Sequence, residues 1–166
     1  MRRPVFLSFC YGDDVARVQQ IRNMGMVEEQ QILSPNDFEQ VRRSGDAAIK
    51  RWIDNQLMYK QCVIVLVGEN TANRPYVRYE IMKAKEKKIP MFGIYIHNLK
   101  DLSGRTSRQG KDPFVEVLGY NSGYKCINPS HIDIDGCRAY NTIKSNISSW
   151  IEEAIRDNKY RSNYFF

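Results

Sequence analysis

The sequence predicts an α/β fold in which a central, mainly parallel sheet is covered by helices on both faces. Three observations predict it. Val63-Ile64-Val65-Leu66-Val67 is a continuous, largely β-branched apolar run, the pattern of a strand buried on both faces as parallel strands are. Strand-like and helix-like segments alternate as β-α-β-α-β-α-β from Pro4 to Ile96, which calls for parallel pairing through helical crossovers. The run then leads through a polar loop, Gly68 to Asn73, into a helix start. Side chains just beyond it therefore stand at the sheet edge where open α/β folds bind ligands.

Each element can be justified in turn. Pro4 to Phe9 is the first strand. Asp13 or Asp14 is expected to cap a helix to about Met24, in which Val15, Val18, Ile21 and Arg22 recur near the helical period. Between Gly25 and Arg43, Gln31-Ile32-Leu33 reads as a short strand and Ser34-Pro35-Asn36-Asp37 as a turn. Ser44-Gly45-Asp46 opens a second helix with the core face Ile49, Trp52, Ile53 and Leu57. After the central strand comes a helix with Asn73 as N-cap and Pro75 in its first turn, running to about Lys88. Ile89 to Ile96 is a further buried strand.

From Asn98 to about Tyr124 the chain turns polar and glycine-rich around Ser103-Gly104-Arg105-Thr106-Ser107. Loops this long inside a compact domain are as a rule functional or disordered. Tyr124 to Ile127 reads as an edge strand. Tyr140 to Arg156 reads as an amphipathic helix whose stripe is Ile143, Ile147, Trp150, Ile151, Ala154 and Ile155. No internal repeat interrupts the series, and residues 1–166 are expected to form a single domain.

Composition narrows the function classes. No stretch approaches the roughly 20 apolar residues of a membrane span. The basic-then-apolar start ends at Ser8 and Asp13-Asp14, too early for a signal peptide, so the expected location is cytoplasmic. The net charge of +6, from 25 Lys and Arg against 19 Asp and Glu, fits an anionic partner without selecting one. Nucleic acid is disfavoured because no reading motif accompanies the charge. Four cysteines do not make a disulfide scaffold; Cys10 and Cys62 adjoin core strands and are expected to behave as small hydrophobes. Cys126, His131 and Cys137 match no common zinc spacing and lack a fourth ligand, so no metal is expected.

Two places carry candidate chemistry. Glu80 lies about two turns into the helix after the central strand, at the margin of a stripe formed by Val77, Ile81 and Ala84. Its bland reading is a solvated glutamate paired with Lys83 or Lys87; its functional reading is a carboxylate at the ligand edge. The first βα turn, Ser8-Phe9-Cys10-Tyr11-Gly12-Asp13-Asp14, is the other place. There Phe9 and Tyr11 suit stacking on a base or nicotinamide, and Ser8 or backbone amides suit phosphate, against the alternative of a simple capping turn. The glycine fingerprints of a dinucleotide-binding turn or a P-loop are absent. A phosphorelay receiver needs an Asp at the end of the central strand, where Gly68-Glu69 stands. His97 and His131 are the only histidines, and His97, ending a strand, reads as structural rather than as a base for a nucleophile.

Together these residues resemble a family. Val5-Phe6-Leu7-Ser8-Phe9-Cys10-Tyr11 with Asp13 is similar to the first strand and loop of TIR-like domains. Tyr76-Val77-Arg78-Tyr79-Glu80-Ile81 is similar to their helix bearing a catalytic glutamate. The pattern extends through Gly93-Ile94, the Asn98-Lys100-Asp101 turn, Asp112-Pro113-Phe114 and Leu118-Gly119-Tyr120, and resembles most of all the TIR-like proteins of Thoeris anti-phage defence (ThsB-like). The loop around Pro35 to Phe38 departs from the family's pattern, which leaves the role of Asp37 open.

The resemblance implies a flavodoxin-like/TIR-like three-layer fold and an enzyme of the NAD glycohydrolase or ADP-ribosyl cyclase type. Such an enzyme cleaves the nicotinamide–ribose bond of NAD, its substrate, and binds no permanent cofactor. It implies Glu80 as the catalytic residue, with Ser8, Phe9, Tyr11 and Tyr76 around the nucleotide. A cyclic or otherwise modified ADP-ribose would then signal to a separate effector protein, and self-association into a homo-oligomer is compatible with it. The alternative is a non-catalytic TIR-type interaction module, since one fold hosts many functions.

Overall fold

The computed structural model describes residues 2–29, 40–129 and 137–164. The expected strand at 31–33, the turn at 34–37 with Asp37, His131 and the Cys137 side chain lie outside them. The strands are β1 (Pro4–Ser8), β2 (Glu28–Glu29), β3 (Cys62–Val67), β4 (Met91–Tyr95) and β5 (Cys126–Ile127). The helices are α1 (Tyr11–Asn23), α2 (Asp46–Leu57), α3 (Pro75–Glu86), α4 (Pro113–Leu118) and α5 (Cys137–Tyr164). The strands form one sheet in the order β2-β1-β3-β4-β5, and every neighbouring pair is parallel. The α/β expectation holds. The chain runs outward from β1 to β2 and then returns to the other side of β1 as β3, so the topological switch point lies between β1 and β3.

Alternation along the strands separates two cores. Val5, Leu7, Ile64, Leu66, Phe92 and Ile94 pack under α1 and α5, against Val18, Ile21, Ile143, Ile147 and Ile151. Phe6, Val63, Val65, Val67, Met91 and Tyr95 face the other way, under Ile49, Ile53 and Leu57 of α2, Val77 and Ile81 of α3, and Phe114 of α4. All six residues of β3 are buried, as its unbroken apolar run requires. Among the described residues no helix is long and apolar enough to cross a membrane.

Strand ends shift by one or two residues, and four larger differences from the sequence expectation have a physical reason. α1 begins at Tyr11 with Cys10 as its N-cap, because Asp14 turns inward toward Arg17 instead of capping. α3 begins at Pro75 with Arg74 as its N-cap, behind a 3-10 turn over Thr71–Asn73. Arg74 takes an extended ψ of 124°, the region to which a following proline confines it, so Asn73 is not the cap. The polar stretch from 98 to 124 contains α4, whose start combines Pro113 at its first position with Asp112 accepting from the Phe114 and Val115 amides at 2.8 and 3.4 Å. α5 runs past Arg156 to Tyr164: its apolar stripe stops at Ile155, but no Gly or Pro follows to end the helix.

Gly93 marks a tight place in β4. A Cβ there would stand 2.6 Å from Cys126 Sγ and 3.2 Å from the Phe114 ring. Gly93→Ala is therefore expected to lower stability by about 1–3 kcal/mol, measured as a drop in the urea midpoint. An unchanged midpoint would mean that α4 is free to back away from the sheet.

Candidate functional site

At the carboxyl end of β1, Ser8 follows Phe6 onto the α2/α3 face of the sheet and is completely buried. It pairs in register with Val65 of β3. From the helix layer above, Glu80 of α3 comes down onto the same face and is only 8 % exposed. Burial in this apolar setting pushes its carboxyl up to about 8, and the Ser8 hydroxyl is the group that pulls it back. Beyond this approach to each other, Ser8 Oγ and Glu80 Oε2 have no hydrogen-bond partner among the described residues. The solvated pairing expected of Glu80 does not form: Lys83 instead meets Glu86 at 3.3 Å. A buried carboxyl oxygen without a partner is costly to fold around and available to a ligand.

The rim of this crevice is drawn together by charge. Asp13, in the first turn of α1, accepts from Asn70 Nδ2 at 3.0 Å and from Arg74 Nη2 at 3.3 Å, which ties α1 to the loop after β3. The Asn70 contact, with help from Arg74, holds Asp13 below the usual carboxylate range. In that loop Thr71 folds back on the strand end, its hydroxyl accepting from the Gly68 amide at 2.8 Å. Gly68 has no room for a side chain because the Asp14 carboxyl occupies the place of its Cβ. On the other side, Gly110 lies directly against the Gly68 carbonyl, bringing the chain after β4 across the end of β3.

Arg17 fixes that returning chain. Its Nε donates to the Leu99 carbonyl at 2.7 Å and its Nη2 to the Arg105 carbonyl at 2.9 Å, while its Nη1 meets Asp14 Oδ1 at 3.5 Å. Gln20, one turn on, donates to the Lys100 carbonyl at 2.6 Å. Asp14 is buried enough that its carboxyl rises to about 6 even with the Arg17 charge beside it. Sequence reasoning had Asp14 in the candidate turn only as an expected helix cap, and missed Arg17 and Thr71 as parts of the site. The one available signal was the three-residue spacing of Asp14 and Arg17, which surface helices show as commonly.

The remaining candidates are placed differently from one another. Phe9 packs with the α1/α5 core, on the side of the sheet away from Ser8 and Glu80, and its ring stacks on Tyr11 at 6.1 Å between centroids. Tyr76 is half-buried at the start of α3, with its hydroxyl donating to Asp46 Oδ1 at 3.0 Å. The structure thus brings Ser8 and Glu80 together, keeps Phe9 with Tyr11, and engages Tyr76 with α2. His97 is buried edge-on to Tyr95, and its carbonyl accepts from the Ser107 amide at 2.9 Å. Cys10 and Cys62 are buried, and burial pushes both thiols up, Cys62 to about 12, so they are unreactive hydrophobes. Cys126 donates to the Asp112 carboxyl at 3.5 Å. Among the described residues no cluster of His, Cys, Asp and Glu has the makings of a metal site.

With this geometry in view, comparison with known proteins identifies the family. A model of the domain described as "Thoeris protein ThsB, TIR-like domain" matches residues 6–101, the span from β1 through β4 that holds Ser8, Arg17, Gly68 and Glu80. The chain belongs to the ThsB TIR-like family. A Bacillus cereus (strain MSX-D12) protein bearing the name "Putative cyclic ADP-D-ribose synthase ThsB1" is 37 % identical over 125 residues, which cover 72 % of this chain and 65 % of that protein. The matched region thus spans about two-thirds of the relative's length. In this TIR-like domain the region matched by the family model contains Ser8, Glu80 and the loop after β3, whereas the crevice wall at Gly110 and the elements α4, β5 and α5 lie beyond it.

Proposed function

We propose that this protein consumes NAD by breaking the nicotinamide–ribose bond, with Glu80 as the catalytic residue. One observation carries the reading: a buried, hydrogen-bond-deficient carboxyl beside Ser8 at the switch point of a parallel sheet. The name of the Bacillus cereus relative supports the same substrate class.

The chemistry follows from charge. Glu80 is held largely neutral in the ligand-free crevice. The positively charged pyridinium of NAD favours the ionised form, so substrate binding expels the proton. The carboxylate then accepts from the ribose hydroxyls and offsets the positive charge that builds on the sugar as the C–N bond lengthens. Nicotinamide leaves with the bonding electron pair and becomes neutral, so no general acid is needed. The oxocarbenium-like sugar is captured by water or by a nucleophile of the same ADP-ribose, giving a linear or cyclic product. Ser8 holds a ribose or phosphate oxygen, and Tyr11 lines the nucleotide at the mouth, backed by Phe9, which packs on the other face of the sheet. Tyr76 closes over the reacting sugar on releasing Asp46. The product serves as a diffusible signal to a separate effector protein.

Mass spectrometry of NAD incubated with concentrated protein tests this, followed by the same assay in lysate from phage-infected cells. Free nicotinamide with an ADP-ribose-derived product is the expected result; intact NAD in both settings would overturn it. The pH profile is a second check. Because kcat/KM reports the free enzyme, it should rise about tenfold per pH unit below the Glu80 value and level off near pH 8. A flat profile from pH 6 to 9 would remove Glu80 from the role.

A further inference from the structure

The opposite edge of the sheet also has a concavity, and it is basic. Four chain segments wall a hollow of about 600 Å³: the start of β1, the α2–β3 link, the α3–β4 link and the late part of α5. Arg3, Lys60, Lys87, Lys88 and Lys159 stand around it, and no carboxylate is among the described lining residues. Arg3 is already neutralised by Glu152 at 2.7 Å. Lys60, Lys87 and Lys159 form no ion pair among the described residues. Beneath these cations lies an apolar floor of Leu57, Ile89, Pro90 and Ile155, with the exposed Met58 at its border.

The walls are fixed rather than draped. Gln61 accepts from Arg3 Nη1 at 3.0 Å, and its amide donates to the Pro4 carbonyl at 2.9 Å. The turn ending α3 is closed by Lys88 N to Lys85 O at 3.0 Å and Ile89 N to Ala84 O at 2.9 Å, and Asn158 of α5 donates to the Lys88 carbonyl at 3.0 Å. Lys88 itself sits at φ +58°, the single non-glycine residue in the left-handed region among those described. Helices usually end there on glycine or asparagine. A lysine at that position adds a cation to the hollow at the expense of backbone comfort.

We propose that this amino-edge hollow is a ligand site for a small phosphate-bearing molecule with a planar ring, a nucleoside polyphosphate in chemical class. The lysines match the phosphates and the apolar floor matches a ring. The volume lies within the range of small-molecule sites, and a concave wall fits such a ligand better than it fits a flat bilayer. The site is separate from the Glu80 crevice. β3 alone has six residues, so about 20 Å divides its two ends, well beyond the screening length of about 8 Å at physiological salt.

Isothermal titration calorimetry with ATP, tripolyphosphate and adenosine tests the assignment on the whole chain. ATP is expected to bind more tightly than either fragment. Lys87→Glu with Lys159→Glu should weaken ATP by about tenfold or more, the effect of reversing two contacts to a polyanion. Lys88→Gly should weaken ATP without lowering the thermal midpoint, which separates lost binding from lost folding. ATP affinity unchanged in the double reversal would overturn the proposal by placing the ligand elsewhere. Tripolyphosphate matching ATP would overturn the ring component, and absence of millimolar ATP binding would overturn the whole. A short single-stranded oligonucleotide that binds far more tightly than ATP, and loses its affinity in the same variants, would replace it with a nucleic-acid surface.

Discussion

Glu80→Gln is expected to abolish NAD cleavage and to make the protein more stable above neutral pH. The two effects have one origin. The Glu80 carboxyl keeps its proton to about pH 8 in the fold, against an ordinary value of 4.5. Between those values the folded state binds more protons than the unfolded chain, so the unfolding free energy falls as pH rises, by at most about 1.4 kcal/mol per unit. Below the window the contribution is flat and harmless; above pH 8 the full penalty is present. Glutamine never ionises and so is free of it. Near pH 4 the two proteins should melt together. At pH 8 the variant should be ahead by about 4 kcal/mol, or about 8–16 °C for a chain of this size. Melting curves across pH 4 to 9, beside the NAD assay, measure both effects. A variant that melts lower at every pH would show that the carboxyl holds the structure together, and undiminished turnover would show that it does not act on substrate.

Arg17→Met is expected to cause the largest loss of stability of any single substitution considered. The guanidinium satisfies two backbone carbonyls, Leu99 at 2.7 Å and Arg105 at 2.9 Å, and it is the cation beside the buried Asp14. Methionine fills much of the volume but leaves the Leu99 carbonyl without this donor, the Arg105 carbonyl with only the Asp101 amide, and Asp14 without its cation, an effect of about 3–5 kcal/mol for breaking one side of a buried charged cluster. Arg17→Lys should recover only part of it, because one ammonium cannot reproduce the planar fork that reaches both carbonyls. Urea unfolding of the three proteins decides the matter. A loss below about 1 kcal/mol for methionine, within the range of an exposed pair, would mean that water reaches these carbonyls freely.

The sequence was most informative where burial is continuous. Val63 to Val67, Met91 to Tyr95 and the stripe of α5 could be read because an apolar run, or an apolar stripe at helical period, is the direct imprint of a covered face. Glu80 was legible as a candidate through its place after the central strand. Its depth was not, since position 80 adjoins the stripe of Val77, Ile81 and Ala84 and its burial depends on what lies beneath. What lies beneath is Ser8, 72 positions earlier in the chain, and no local pattern announces that the two share a face. Arg17 and Asp14 are the sharper lesson. In sequence they resemble any charged pair on a helix surface, and only the end of β3 at Gly68 and the return of residues 98–111 over α1 bury them. α4 escaped for another reason: six residues are too few to establish a period, so only its Asp112–Pro113 start marks it. The family resemblance, by contrast, was carried by motifs whose order along the chain is independent of these contacts.

The segment from 98 to 111 has little regular structure and is nevertheless internally organised. Leu99 N bonds to the Ile96 carbonyl, Asp101 N to Arg105, Gly104 N back to Asp101, and Ser107 N to His97, all at 2.9–3.0 Å. The Asp101 carboxylate accepts two further amides, those of Ser103 at 2.8 Å and Arg105 at 3.0 Å. Its configurational entropy is therefore surrendered when the chain folds and not when a ligand arrives. Any molecule entering between β1 and β3 meets, where Gly110 rests on Gly68, a boundary whose shape is already decided. Selectivity on that side of the crevice is a matter of fit to a standing surface, and the free energy of binding is not diverted into building it.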